Sequence, residues 1–572
     1  MILKEKKMRK KRIDKVLSMV MATLLAGGLS ACFGGGDDIN TDPTVLNVKI
    51  RKAGYGTEYI EVVADAFEEA FKDKGYEINV LAPREDLTGT TVLRDIWSNS
   101  GIDVYFTSDL EARTGVTGEF GQMISNMTDN IYKKPAIKLD GTEETETIEA
   151  KLAGYDFPST IYNDQYYGMP FALGFGGLAV NKKVLNQFEL ELPRTTNELW
   201  HCAKVIMEQA KAGETKARPF TYALSDNNYA MSLVNPWLGQ YEGYDSFNEF
   251  WSFQKKVENE DGTVTYTDMT TDAYEVFHKQ GVYELYEATY QMYDWQMSAA
   301  GSGSHDLSSA QAKIMKGEAV FYSVGDWMFN EEAKKFPKYL NDVTFINIPM
   351  LSSVGTLVFG DNGFDAATCE QILTSIIKYA DQHMAAETIK STVESELSVT
   401  LDLEDVVSIC ERRGYVKDSS GAMAIISQKS EKKELAETFL RFCASTEVAT
   451  LMSKSMQTGS PFAVGVNNDS QYPYLQATSK IAANPYFKQL ISVNQGYRAR
   501  LGPAGMFPSE GDIFVNKIYD AQITTYDASL NRTGSDELYK TAAYKTVERI
   551  YNDAKSNIEK GLANNGGWKP TY

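Results

Sequence analysis

Three features of the chain predict an α/β fold with mostly parallel sheets. They are short apolar runs of strand length, amphipathic runs of helical period between them, and glycines where one pattern gives way to the other. The first stretch after the N-terminal region shows all three. Residues 46–50 (LNVKI) alternate as a strand does, residues 53–56 (AGYG) read as a turn, and residues 58–74 carry apolar side chains at helical spacing until Gly75 stops the helix. Residues 76–81 (YEINVL) resume as a strand, a second helix is predicted near 90–99, and residues 102–106 (IDVYF) read as a buried strand ending in Thr107, Ser108 and Asp109. Ligands of such sheets gather at the carboxyl ends of strands. Tyr55, Ser108 and Asp109 occupy that predicted edge.

Residues 142–148 (TEETETI) form an acidic, polar loop. Residues 174–179 (GFGGLA) match the G-x-G-x-x-A shape of a dinucleotide loop. Context excludes that role: a phosphate loop opens a helix directly, whereas residues 177–181 continue as a strand. Glycines between two strands suit a crossover or hinge instead. A helix over 195–210 starts strongly, with Thr196 as its cap and Leu199 opening its apolar face. Helical runs at 234–238, 281–297 and 310–317 lead to a strand ending at Gly325-Asp326-Trp327. Strands at 343–349 and 421–427, a helix over 432–444 and a C-terminal helix over 539–560 follow, without an internal repeat.

The N-terminus divides as a secretory signal does. Eight basic residues precede an apolar run at 16–29. Those 14 residues fall short of the roughly 20 needed to span a membrane. Leu29-Ser30-Ala31-Cys32 then looks like a bacterial lipobox, so residues 1–31 are expected to be removed and Cys32 to carry the lipid. Residues 33–43 (FGGGDDINTDP) would be a flexible tether. The chain carries −20 overall, of which residues 1–31 contribute +6, leaving −26 on the remainder. So acidic a body disfavours nucleic acid and anionic lipid as partners. With 33 Tyr, 26 Phe and 7 Trp, it is well supplied with rings to stack on flat ligand faces. Cys202, Cys369, Cys410 and Cys443 lack ligand spacing and are expected to be buried thiols, with one disulfide left open. The four His are far apart in sequence, so neither a metal nor a cofactor is expected.

An ordered set of stretches resembles the family 1 extracellular solute-binding proteins, the receptors of bacterial carbohydrate ABC importers. The set comprises the lipobox, residues 167–171 (YGMPF) with 178–183 (LAVNKK), 192–195 (LPRT) with 198–200 (ELW), 316–320 (KGEAV) with 325–327 (GDW), and 422–425 (AMAI) with 433–436 (KELA). The match is weaker through 361–420 and after 472. The resemblance implies a type II periplasmic-binding-protein-like clamp of two α/β lobes, with the ligand cleft between them and a hinge that the chain crosses more than once. It implies a first lobe from 45–172 plus 420–455, a second from 173–360 plus 456–572, and a helical insertion at 361–419. It further implies a monomer without catalytic activity, held on the extracytoplasmic face of the cell membrane by its lipid anchor. Its partners would be a carbohydrate and the permease subunits of an ABC importer.

Sugars are recognised by aromatic rings against their C–H faces and by planar polar groups at their hydroxyls. Trp327 is the expected stacking platform, matching the family's position at a strand end, with Asp326 beside it as a hydroxyl acceptor. Tyr55, Ser108 and Asp109 are expected from the first lobe, and Trp237 from the second. Phe171 lies nearer the hinge and reads as structural, while Tyr497, Arg498 and Arg500 sit in a polar loop that could reach the cleft. The alternatives are a receptor for a peptide or another polar solute, and a surface-anchored glycoside hydrolase with two carboxylates about 5–10 Å apart.

Overall fold

A computed structural model of the chain describes residues 38–52, 54–84, 87–108, 110–152, 157–223, 231–259, 261–269, 272–294, 297–302, 305–418, 422–462, 471–491 and 536–564. The chain opens with β1 (Val45–Ile50), α1 (Glu58–Ala70), β2 (Glu77–Val80) and β3 (Val104–Thr107), and reaches β4 (Met169–Pro170) after small polar hairpins. It continues through β5 (Phe175–Asn181), α2 (Thr196–Ala212), β6 (Arg218–Phe220), α3 (Met231–Glu242), α4 (Gln280–Met292), α5 (Leu307–Lys316), β7 (Ala319–Gly325), α6 (Met328–Ala333) and β8 (Val343–Ile346). Three helices follow: α7 (Ala366–Ala380), α8 (Ala386–Leu397) and α9 (Leu403–Arg413). Then come β9 (Tyr415–Asp418), β10 (Met423–Ile426), α10 (Lys433–Cys443), α11 (Thr446–Met456), α12 (Pro473–Ala482), β11 (Lys488–Leu490) and α13 (Asp536–Asn564).

Two sheets organise these elements. The first has the order β2-β1-β3-β10-β4, and the second β6-β7-β5-β9-β11 with β8 also on β5. In the first, β1 lies parallel to β2 and β3, while β10 returns antiparallel to β3. In the second, β5 runs against β7, β8 and β9. Among the described residues the chain thus passes between the lobes three times: from β4 to β5, from β9 to β10, and from α11 to α12.

The sequence explains why distant segments return to the first lobe. Every residue of β1 is buried, and α1 covers the sheet with Tyr59, Ile60, Val63, Ala64 and Phe67. Phe67 meets Phe439 and Phe442 of α10 edge-on, at 5.2 and 5.3 Å between ring centres. Such pairs add about 0.5–1.5 kcal/mol each beyond the area they bury. In the second lobe, all of β5 is buried. An added Cβ would lie 2.4 Å from Ser232 Oγ at Gly176 and 2.5 Å from the Phe345 ring at Gly177. These two glycines serve close packing.

The segment 361–419 is helical only as far as Arg413. Its last residues form β9, a full member of the second sheet between β5 and β11. The Arg413 guanidinium grips the Asp381 carboxylate at 2.8 and 2.9 Å, fixing the end of α9 to the turn after α7. The cap of α2 is Thr195, one residue earlier than expected, with its hydroxyl accepting from the Glu198 amide. Cys202, Cys369, Cys410 and Cys443 are free and buried. Cys32 lies outside the described residues.

Candidate ligand-binding cleft

The carboxyl ends of β1 and β3 lie side by side in the first sheet, and the turn after β1 meets the turn after β7 from the second. Tyr55 follows β1, Ser108 follows β3 and Trp327 follows β7, and all three are half-buried. The structure brings Tyr55 and Trp327 together across the lobes, with ring centres 6.4 Å apart and planes at 76°. Tyr55 also meets Phe171 at 6.1 Å, and Phe171 stacks on Tyr59 at 5.7 Å. Phe171 is itself buried, so it supports Tyr55 from behind. An aromatic path therefore runs from the core of the first lobe to the Trp327 ring of the second.

The Trp327 indole lies flat against Gly325. A Cβ at Gly325 would sit 2.2 Å from the ring, so only glycine leaves room for it there. The following turn brings α6 against the first lobe. Asn330 Nδ2 donates to Gly54 O at 3.0 Å, and Lys334 pairs with Glu58 at the start of α1. Burial raises the Glu58 carboxyl, but Lys334 and the Thr57 and Glu58 amides more than offset it and hold it below its usual range.

Two sequence expectations change. Asp326 is fully buried, so it offers no acceptor to a ligand in this structure. Its Oδ1 accepts from the Phe175 amide at 3.3 Å and its Oδ2 from the Thr458 hydroxyl. Burial pushes the carboxyl up to about 7, against the Thr458, Phe175 and Gly459 donors that favour its charged form. Trp237 is also fully buried and donates its indole N–H to Pro349 O at 2.9 Å. It packs in the core behind the second sheet and presents no face to a cleft. Sequence reasoning missed Gly325, Asn330 and Thr458. The first carried a signal, a glycine two residues before a tryptophan at a strand end. The other two work through partners far away in the chain. Asp109, Tyr497, Arg498 and Arg500 lie outside the described residues.

The family model of the bacterial extracellular solute-binding proteins matches residues 63–482, most of the chain. The chain belongs to this family. Its members are binding proteins that work outside the cytoplasm, and this solute-binding protein shares their two-lobed α/β architecture. Among solved structures, one described as the solute-binding protein RafE in complex with raffinose is 12% identical, covering 89% of this chain and 99% of that one with a TM-score of 0.52. The GacH receptor of Streptomyces glaucescens is 11% identical, covering 89% and 98%, with a TM-score of 0.49. A chitin oligosaccharide binding protein is 12% identical, covering 91% and 99%, with a TM-score of 0.45. The likeness to RafE is one of fold. No curated protein matches the chain in sequence.

Proposed function

We propose that this solute-binding protein captures an oligosaccharide between its lobes and delivers it to an ABC permease, tethered to the membrane by lipid on Cys32. The meeting of Tyr55 and Trp327 across the lobes carries this reading. Two half-buried rings at right angles give a sugar one face to stack on and one edge to close against it. Ser108 stands at the neighbouring strand end as a hydroxyl partner. The structurally similar RafE is described in complex with raffinose, which supports a sugar as the ligand. Closing the lobes removes water, and that strengthens both the stacking and the hydrogen bonds.

The test is a melting experiment on the purified protein with mono- to hexasaccharides and, separately, short peptides, alongside an assay for reducing ends. A ligand at 100 times its Kd stabilises the fold by about 2.7 kcal/mol, enough for a clear rise in melting temperature. The expected result is such a rise with an oligosaccharide and no release of reducing ends. A rise with peptides alone, or turnover of a glycoside, would overturn the proposal.

A further inference from the structure

We propose that Asp326 is the positioning residue of the hinge: it fastens two of the three passages between the lobes to the strand end that carries Trp327. The inference rests on the reading of the molecule as a moving clamp, and it assigns the hinge a keystone.

The geometry is specific. The Asp326 amide donates to Phe175 O at 3.0 Å, and the Phe175 amide returns a bond to Oδ1 at 3.3 Å. Phe175 opens β5, so this pair holds the first passage. Oδ2 takes the hydroxyl of Thr458, which lies just past α11 on the third passage. The Ser453 hydroxyl in turn donates to Thr458 O, and the Leu173 amide donates to Gly459 O at 3.0 Å, so the two passages also touch each other. From the second lobe, Tyr474 of α12 donates to Gly325 O at 3.0 Å, directly before Asp326.

The chemistry makes this arrangement binding on the hinge. A fully buried carboxylate is costly unless its oxygens are met by donors. Among the described residues, those donors are amides and a hydroxyl on the crossing segments themselves. Displacing either passage therefore strands a buried acceptor. The two crossing segments are held together in one local arrangement about which the lobes can pivot, and Trp327, the next residue, inherits it. The GDW stretch thus divides its work: Gly325 clears a seat for the indole, Asp326 ties the crossing segments together, and Trp327 faces the cleft.

Amide hydrogen exchange on the full-length protein, without ligand, tests this. The variants are Asp326→Asn, Asp326→Ala and Thr458→Val. In Asp326→Ala, protection at Phe175 and at Leu173 should fall by roughly tenfold or more relative to Ala179 and Val180 inside β5. Leu173 does not bond Asp326, so its loss reports the linked passage. Thr458→Val should expose Leu173 while sparing Phe175, and Asp326→Asn should restore part of the protection at both. Unchanged protection at Leu173 would overturn the proposal. So would an equal loss throughout β5, which would mean general destabilisation. A protein that binds no solute would sink the clamp reading yet leave this exchange pattern intact, so the two failures are separable.

Discussion

Adding one methyl group at Gly325 probes the cleft by displacing the Trp327 ring. An added Cβ there would lie 2.2 Å from the Trp327 indole, whereas ordinary contact between carbons is about 3.5–4 Å. The ring must therefore move by roughly 1.3 Å or more, or rotate off its seat. Gly325 does not occupy the left-handed region, so alanine adds no backbone strain and the whole effect falls on the indole. An aromatic platform is worth on the order of 1–3 kcal/mol to a ligand. Displacement should forfeit a good part of that, about tenfold in Kd. Trp327→Ala should lose at least as much. The assay is calorimetric titration of both variants with whichever oligosaccharide stabilises the wild type most, paired with near-ultraviolet circular dichroism. Changed tryptophan signals with weakened binding are expected for Gly325→Ala. Wild-type affinity in both variants would refute the assignment of Trp327 to the ligand.

Trp237→Ala should lower stability by about 3–5 kcal/mol through the cavity and the stranded Pro349 carbonyl, and leave the affinity of the folded fraction unchanged; denaturant unfolding and titration together check this. Asp326 gives a pH dependence that Asp326→Asn isolates. Its carboxyl is raised from 3.8 in an unfolded chain to about 7 when folded, so the folded state holds the proton more tightly. Its contribution is complete below about pH 4 and is lost as the pH climbs towards 7, at up to about 1.4 kcal/mol per unit. Lys417 and Asp418, on the strand beside Phe175, are common to both proteins and cancel in the difference. A wild-type minus variant stability that is flat or rising over that range contradicts the assignment. The buried thiols should resist a disulfide reagent in the native protein, since burial pushes Cys202 up to about 11 and Cys410 up to about 12. After denaturation of the mature protein four thiols should react if Cys32 is lipidated, and five if it is not.

The parts of the fold that local pattern encodes were legible in the sequence. The run from β1 to β3 switches cleanly between period two and helical period, and Gly75 marks the boundary in a left-handed turn. The glycines at 174–177 could be separated from a phosphate loop because the chain after them continues as a strand. What escaped depends on partners far along the chain. A short carboxylate before a tryptophan at a strand end reads equally as a ligand acceptor or a strut. The Phe175 amide and the Thr458 hydroxyl, 151 and 132 positions away, make Asp326 a strut. Trp237 reads equally as platform or core until the Pro349 carbonyl, 112 positions on, takes its indole N–H. The end of the helical insertion was obscured because β9 has only four residues, too few for a period to show.

Calorimetric titration of the wild-type protein with linear and branched oligosaccharides of two to six residues tests the central claim most directly. Saturable binding of at least one of them, weakened about tenfold or more by Trp327→Ala and unaccompanied by hydrolysis, is the expected result. Saturable binding of a peptide with no response to any oligosaccharide would contradict it.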